Sequence, residues 1–392
     1  MKRWMSRNLI VLTLVSLAQD AASELLFPLL PFLITASVIT AAPLALGLIE
    51  GFAEAAAGFT KIFAGKASDR LGRKPFVVAG YSLAALGKTF VVIASTWHLI
   101  FLGRVTDRIG KGMRGAPRDA LIHDSVPKED IGKAFGFHRT GDNIGAVIGP
   151  LIALGGLALL NDDVRAVAKW AIIPALLSGF LTLFVRETVK VKKKSDQRKE
   201  KIKSGPLPRH LKKTIGILVF IQLSNIPDAL LLLRLYDLDF SVTSVVLIYA
   251  LYSFVTVIFA FPGGFLADRL PPQFAYALGL VAFAIAYATL GLTTSHTLAV
   301  IALVVYGIFP ALTDGVGKAW IAKLSPDDLR GHAQGIYQGS MSFAILAAGI
   351  WGGALWSKGS AQPVLVVAAI GATAGALYLF STLVAKGFAN RN

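Results

Sequence analysis

Apolar residues in this chain fall into about twelve long stretches joined by short connections, and nothing else in the sequence restricts the fold as strongly. A helix needs roughly 20 mainly apolar residues to cross the hydrocarbon core of a bilayer. The stretches read as helical spans at 9–36, 43–65, 75–94, 98–122, 131–160, 164–185, 213–236, 242–268, 273–293, 297–323, 330–357 and 361–385. Hydrophobic residues fill 55% of 392 positions and charged residues only 16%, whereas a soluble domain carries about 25% charge. The expected class is therefore all-α integral membrane, with little chain left for a soluble domain. The first stretch continues from Leu9 to Val38 without a small-residue cleavage site. It is expected to stay as a span rather than to be removed as a signal peptide. The chain has no cysteine, which excludes disulfides and thiolate metal ligands and leaves the compartment open.

A net charge of +16 would suit a nucleic-acid binder, but here the excess sits in loops beside membrane spans. The loops alternate. Lys2, Arg3 and Arg7 precede span one, an uncharged turn covers Ser37 to Pro43, and Lys66, Arg70, Arg73 and Lys74 follow span two. Ser95 to His98 is nearly uncharged, Arg118 to Lys133 is basic, and Arg186 to Lys213 is a long basic segment. Basic loops stay on the cytoplasmic side. Both termini are therefore expected in the cytoplasm, in a cell membrane (inner or plasma) with no nucleic-acid partner. The organisation reads as a six-helix bundle at 1–185, a basic linker at 186–212 and a second six-helix bundle at 213–392. Anionic membrane lipids would contact the linker, at about 1 kcal/mol per nearby Lys or Arg.

One offset superposes the two halves. A shift of 199 residues lays Gly65, Asp69, Arg70 and Leu71 on Gly264, Asp268, Arg269 and Leu270, and Pro28 on Pro227. It also lays Pro127, Gly132, Ala134 and Gly136 on Pro326, Gly331, Ala333 and Gly335. Parallel six-span repeats related by an axis along the membrane normal are a transporter architecture. The stretch GKASDRLGRKP, Gly65 to Pro75, resembles the loop signature between helices two and three of the major facilitator superfamily, and GGFLADRL, Gly263 to Leu270, resembles a degenerate copy. The resemblance spans essentially the whole chain. It implies about twelve helices in two pseudo-symmetric bundles and alternating access. It also implies a cytoplasmic gate at Gly65, Asp69, Arg70, Gly72 and Arg73, with Asp268 and Arg269 as its second copy. Physically, the glycines permit close backbone approach and a tight turn, and Asp69 can exchange partners between Arg70 and Arg73.

Ionisable groups inside a span cost about 2.5–3.5 kcal/mol each, which makes them functional candidates. Asp20 and Glu24 lie on span one, Glu50, Glu54 and Lys61 on span two, Lys88 on span three, Arg104, Asp107, Arg108, Lys111 and Arg114 on span four, and Arg139 and Asp142 on span five. Spacing places Arg104, Arg108 and Lys111 on one helical face. The 199-residue shift sets Asp20, Glu24, Glu50, Glu54, Arg104, Asp107, Arg108, Lys111, Arg139 and Asp142 against Val219, Leu223, Tyr249, Ser253, Leu303, Tyr306, Gly307, Pro310, Gln338 and Met341. Charges needed only to hold six helices together would recur in the second half. Their asymmetry assigns the ten to proton coupling or a substrate cavity, with Asp20 and Glu24 facing Arg108 and Lys111 as first choice and Glu50 and Glu54 as second. Asp228, Arg234, Asp314, Lys318, Gln334 and Gln338 are the cavity or gate candidates of the second half.

Gly145, Gly149 and Pro150, followed by Gly155 and Gly156, resemble the glycine-proline signature of exporters and antiporters in that superfamily, and Arg104 with Gly110 and Gly112 resembles its helix-four signature. Proton-coupled efflux of a small molecule is what the resemblance implies, and a monomer is expected. Two alternatives stay open: carriage of a charged metabolite or metal chelate by the Arg and Lys stripe, and lipid flipping. An enzyme is not expected, since no glycine-rich nucleotide loop, zinc-ligand cluster or nucleophile with a paired base stands out. No cofactor or metal is expected either.

Overall fold

The computed structural model describes residues 4–38, 41–187, 206–326 and 329–389. The chain divides into two compact units, Met1–Ile202 and Lys203–Asn392. The first unit contains α1 (Arg7–Leu26), α2 (Leu30–Thr35), α3 (Ala42–Leu71), α4 (Arg73–Ile93), α5 (Trp97–Asp124), α6 (Ile131–Leu159), α7 (Val164–Lys169) and α8 (Ile172–Leu181). The second contains α9 (Arg209–Gln222), α10 (Asp228–Asp237), α11 (Val242–Arg269), α12 (Pro272–Leu292), α13 (His296–Tyr306), α14 (Ile308–Leu324), α15 (Arg330–Lys358) and α16 (Ala361–Ala389). Short or broken helices pair end to end as single spans, so each unit is a bundle of six.

Adding 199 to the bounds of α4 gives 272–292, the bounds of α12, and adding it to those of α6 gives 330–358, the bounds of α15. The repeat read from two motifs thus holds helix by helix. Ten segments among the described residues are long and apolar enough to cross a membrane. Two spans fall outside that set for physical reasons. The α5 helix has 28 residues but carries a dense run of charge, and the stretch expected as one span over 213–236 is broken. Proline accounts for the break. Pro227 has no N–H to give to a preceding turn, and α9 stops at Gln222 while α10 starts at Asp228. At the equivalent place in the first unit, Pro28 lies in a single 3-10 turn, Phe27–Leu29, which interrupts the span less severely. Helix α9 also begins at Arg209, behind Pro208, within the stretch expected to be linker. Linker residues 188–205, including Lys192 to Lys203, lie outside the described set.

The first unit buries Leu9, Leu12, Val15, Val77, Tyr81, Leu121, Ile122 and Ala134 in one apolar cluster. Its outer surface is apolar too, with Phe63, Leu159 and Ile173 each more than half exposed. Such a surface is at rest only against lipid, where helices satisfy their own backbone groups. This is a multi-pass membrane protein.

Candidate functional site

The charged side chains of α5 are matched by carboxylates from α3 and an ammonium from α4. Arg104 donates from Nε to Glu50 Oε1 at 2.8 Å and from Nη2 to Glu50 Oε2 at 2.7 Å. Arg108 lies 3.2 Å from Glu54 Oε1 and 3.9 Å from Glu50 Oε2. Lys88 donates to Asp107 Oδ1 at 2.7 Å, and Asp107 Oδ2 is 3.7 Å from Arg104. Glu50, Lys88, Arg104 and Asp107 are all buried. Two charges out of water repay their desolvation only with good geometry and further hydrogen bonds. The two-pronged Arg104–Glu50 contact supplies that geometry.

Two glycines set the register that makes the Lys88–Asp107 pair. A Cβ on Gly87 would lie 2.5 Å from Asp107 N and from Gly103 O, and one on Gly103 would lie 2.6 Å from Gly87 O. The backbones of α4 and α5 therefore touch at this level, and the residues beside the contact, Lys88 and Arg104, are driven into the same charged layer.

A narrow cavity of about 50 Å³ opens beside this layer, lined by Asp20, Ser23, Glu24, Phe27, Arg104, Asp107, Arg108, Lys111 and Arg114. Span one thus brings Asp20 and Glu24 to the same space as Arg108 and Lys111. Within it Lys111 is exposed while Arg104 is buried against Glu50, with its guanidinium 5.7 Å from the centre of the Phe27 ring. The glycines of α6 seat span one. A Cβ on Gly149 would lie 2.6 Å from Ala21 O, and one on Gly145 would lie 3.2 Å from Asp20 Cβ, with Pro150 buried next to Gly149.

Arg139 and Asp142 do not line that cavity. Asp142 lies 3.7 Å from His138 Nε2 on the buried face of α6, and Arg139, one residue round the helix, is 75% exposed and 3.8 Å from Asp142. His138 was not singled out by sequence; its i,i+4 spacing to Asp142 was the available signal. Arg118, expected in a cytoplasmic loop, lies inside α5 and donates to Ser16 Oγ at 3.0 Å, and Ser16 in turn meets the Tyr81 hydroxyl at 2.9 Å.

At the α3–α4 corner Gly72 has φ +96°, a conformation that favours glycine. Arg73 pairs with Asp124, at the end of α5, and lies 3.6 Å from Asp69. Arg70 is exposed and makes no ion pair among the described residues, so the expected exchange reduces to Arg73 held between two acids. Gly65 allows no special approach, since a Cβ there would meet Ala116 at an ordinary 3.6 Å. Glu187 accepts the Lys74 N–H at 2.8 Å, tying the end of span six to this corner. In the second copy Arg269 stacks 4.1 Å from the centre of the Phe265 ring, and the side chain of Asp268 lies outside the described set.

The sequence profile of the Major Facilitator Superfamily matches residues 12–225 and again 214–390, one match for each unit. The chain belongs to the major facilitator superfamily. An uncharacterized MFS-type transporter of Methanocaldococcus jannaschii is 30% identical over 387 residues, covering 96% of both chains. The multidrug resistance protein MdtH of Photorhabdus laumondii is 34% identical over 124 residues, 31% of this chain and 30% of that protein. Among solved structures, the nucleoside transporter NupG superposes with a TM-score of 0.77 at 15% identity, covering 96% of this chain and 99% of NupG. These relatives are transporters rather than enzymes.

The second unit of this superfamily member has a polar cluster of its own, at the break between α9 and α10. Asp228 Oδ2 accepts from the Tyr252 hydroxyl at 2.8 Å, and the Tyr306 hydroxyl lies 2.8 Å from Asp228 Oδ1 and 3.1 Å from Asn225 Oδ1. Tyr287 lies 3.3 Å from the Ile226 carbonyl. Asp228 was a sequence candidate; its tyrosine partners were not, because a hydroxyl on a large ring reads as core. Arg234 donates to the carbonyls of Leu290 and Thr293, both at 3.0 Å, and Gln334 to that of Lys318 at 2.6 Å, which are contacts that hold helices together.

Proposed function

We propose that this transporter is a proton-coupled exporter in which Asp20 and Glu24 carry the coupled protons. One observation carries the reading: a cavity of about 50 Å³ with both acids and bases on its walls. That volume holds one or two waters and is far below the several hundred Å³ that drug-sized ligands occupy. It suits proton exchange rather than substrate binding. Arg104 and Arg108 are engaged by Glu50 and Glu54, so a proton arriving at Asp20 or Glu24 alters the balance of charge in a layer that is otherwise nearly neutral. Efflux is supported by the part-length similarity to a multidrug resistance protein and by the α1–α6 packing through Gly145 and Gly149. In this reading both termini are cytoplasmic, the membrane is the cell (inner or plasma) membrane, a monomer suffices, and the corner held by Arg73, Asp69 and Asp124 is the cytoplasmic gate.

The same pairing speaks against the anion-carrier alternative, since two of the three cations on the stripe already face carboxylates.

Reconstituted protein tests the proposal. Efflux of a fluorescent lipophilic cation from proteoliposomes should follow an imposed pH gradient and should lose that dependence in Asp20→Asn and Glu24→Gln. Gradient-driven efflux surviving at full rate in both variants would overturn the assignment.

A further inference from the structure

The second unit carries an open groove between α9 and α16 of about 490 Å³, lined by Lys213, Gly216, Phe220, Gly371, Gly375 and Tyr378 among others. The glycines make it. A Cβ on Gly216 would meet nothing within 4 Å, while one on Gly375 would sit 3.0 Å from Ile221, so the helices touch along the floor and part above it. Phe220 and Tyr378, 74% and 40% exposed, stand on its rims. Charge is confined to one end. Lys213 lines the groove there, and Arg209, His210 and Lys212, all exposed, belong to the same first turns of α9.

Length selects the occupant. From Lys213 to Ser224, the last residue of α9's side of the lining, eleven helical steps span ~16 Å, about half of a hydrocarbon core ~30 Å thick. An apolar channel one leaflet deep that starts at a cluster of cations matches an acyl chain below an anionic headgroup. The first unit shows that the repeat does not require the groove. Under the 199-residue shift, Lys213, Gly216, Gly371 and Gly375 fall on Leu14, Leu17, Ile172 and Leu176, and Ala22 and Ala175 are buried together where the helices meet. The glycines and the cation occur together in one copy and are all replaced by leucine or isoleucine in the other.

We propose that the α9–α16 groove binds one acyl chain of an anionic phospholipid, with the phosphate seated on Lys213. The site is independent of the proton-coupling cavity and of the transported substrate.

Native mass spectrometry of the full-length protein, equilibrated with phosphatidylglycerol or with phosphatidylcholine of the same chains, tests this directly. The wild type should retain phosphatidylglycerol in preference to phosphatidylcholine. Lys213→Gln should weaken that preference roughly fivefold, whereas Lys169→Gln, an exposed cation of the first unit, should leave it unchanged. Gly216→Leu, which installs the first unit's residue in open space, should displace bound lipid of both kinds while the melting temperature stays at or above that of the wild type. Equal retention of the two lipids by the wild type would overturn the proposal. So would equal losses in the two lysine variants, which is the mark of diffuse attraction, or full lipid retention by Gly216→Leu. A wild type that retains no lipid, as expected if a protein segment fills the groove, would overturn it as well.

Discussion

Lys88 and Asp107 meet between α4 and α5 in a buried ion pair at 2.7 Å; 199 residues further on stand Tyr287 and Tyr306, with ring centres 5.4 Å apart. Glu50 likewise gives way to Tyr249, and Arg104 to Leu303. The second unit surrounds its tyrosines with Phe283 and Phe309, at 5.9 and 5.6 Å from the Tyr306 ring, and sets the Asp228 carboxylate against their hydroxyls. One helix framework is thus packed by charge in one copy and by aromatic rings in the other. Apolar replacement of a buried ion pair is often neutral or stabilising. The first unit has therefore kept a chemistry that its architecture does not demand, which supports the role in transport proposed for those charges.

The sharpest way to break this comparison is to disarm the ion pair from one side. Asp107→Ala leaves the Lys88 ammonium buried without its partner, and a loss of about 3–5 kcal/mol is expected in detergent unfolding experiments. Lys88→Met with Asp107→Leu should recover most of that stability while gradient-driven transport stays impaired. Tyrosines cannot simply be copied across, because Leu26 and Leu29 stand where the second unit has Asn225 and Asp228 to accept from the hydroxyls. A double variant as unstable as the single one would show that the first unit does need its charges for packing.

A smaller effect is expected at the helix contact. Gly87→Ala forces a Cβ to 2.5 Å from the backbone of α5, an overpacking cost of about 1–3 kcal/mol, visible as a lowered melting temperature. The equivalent residue of the second unit is already Ala286, so Ala286→Gly should cost no more than about 1 kcal/mol. Tyr306→Phe removes the hydroxyl shared by Asp228 and Asn225 and should cost about 1.5 kcal/mol by the same assay. Arg139→Gln, on an exposed side chain 3.8 Å from its acid, should change the melting temperature least of all, within the range of surface ion pairs, about 0–1 kcal/mol.

Spans and their repeat were legible because hydropathy and a fixed offset survive without any knowledge of packing; α12 and α15 could be written down from α4 and α6. The break in span seven was not. Leu223, Ile226 and Leu230 keep the stretch apolar across Pro227, and hydropathy does not register a missing N–H. In the same way, the charges of α5 were legible as residues but not as pairs. Which acid meets which base depends on the rotation of three helices, fixed by contacts such as Gly87 on Gly103, and no spacing within one helix reveals that Lys88 belongs to Asp107. Arg139 shows the converse. Membership of a span made it a candidate, yet one step round the helix from His138 leaves it exposed and away from the cavity of Asp20 and Glu24.

The partners of α5 also bear on how the chain enters the bilayer. Taken alone, a helix with Arg104, Asp107, Arg108, Lys111 and Arg114 carries an insertion penalty on the order of 10 kcal/mol, and it is not among the segments apolar enough to cross unaided. Glu50, Glu54 and Lys88, which pair with Arg104, Arg108 and Asp107, belong to α3 and α4, the two helices that precede it in the chain. Helix α5 therefore packs between the two helices before it, its charges facing α3 on one side and α4 on the other.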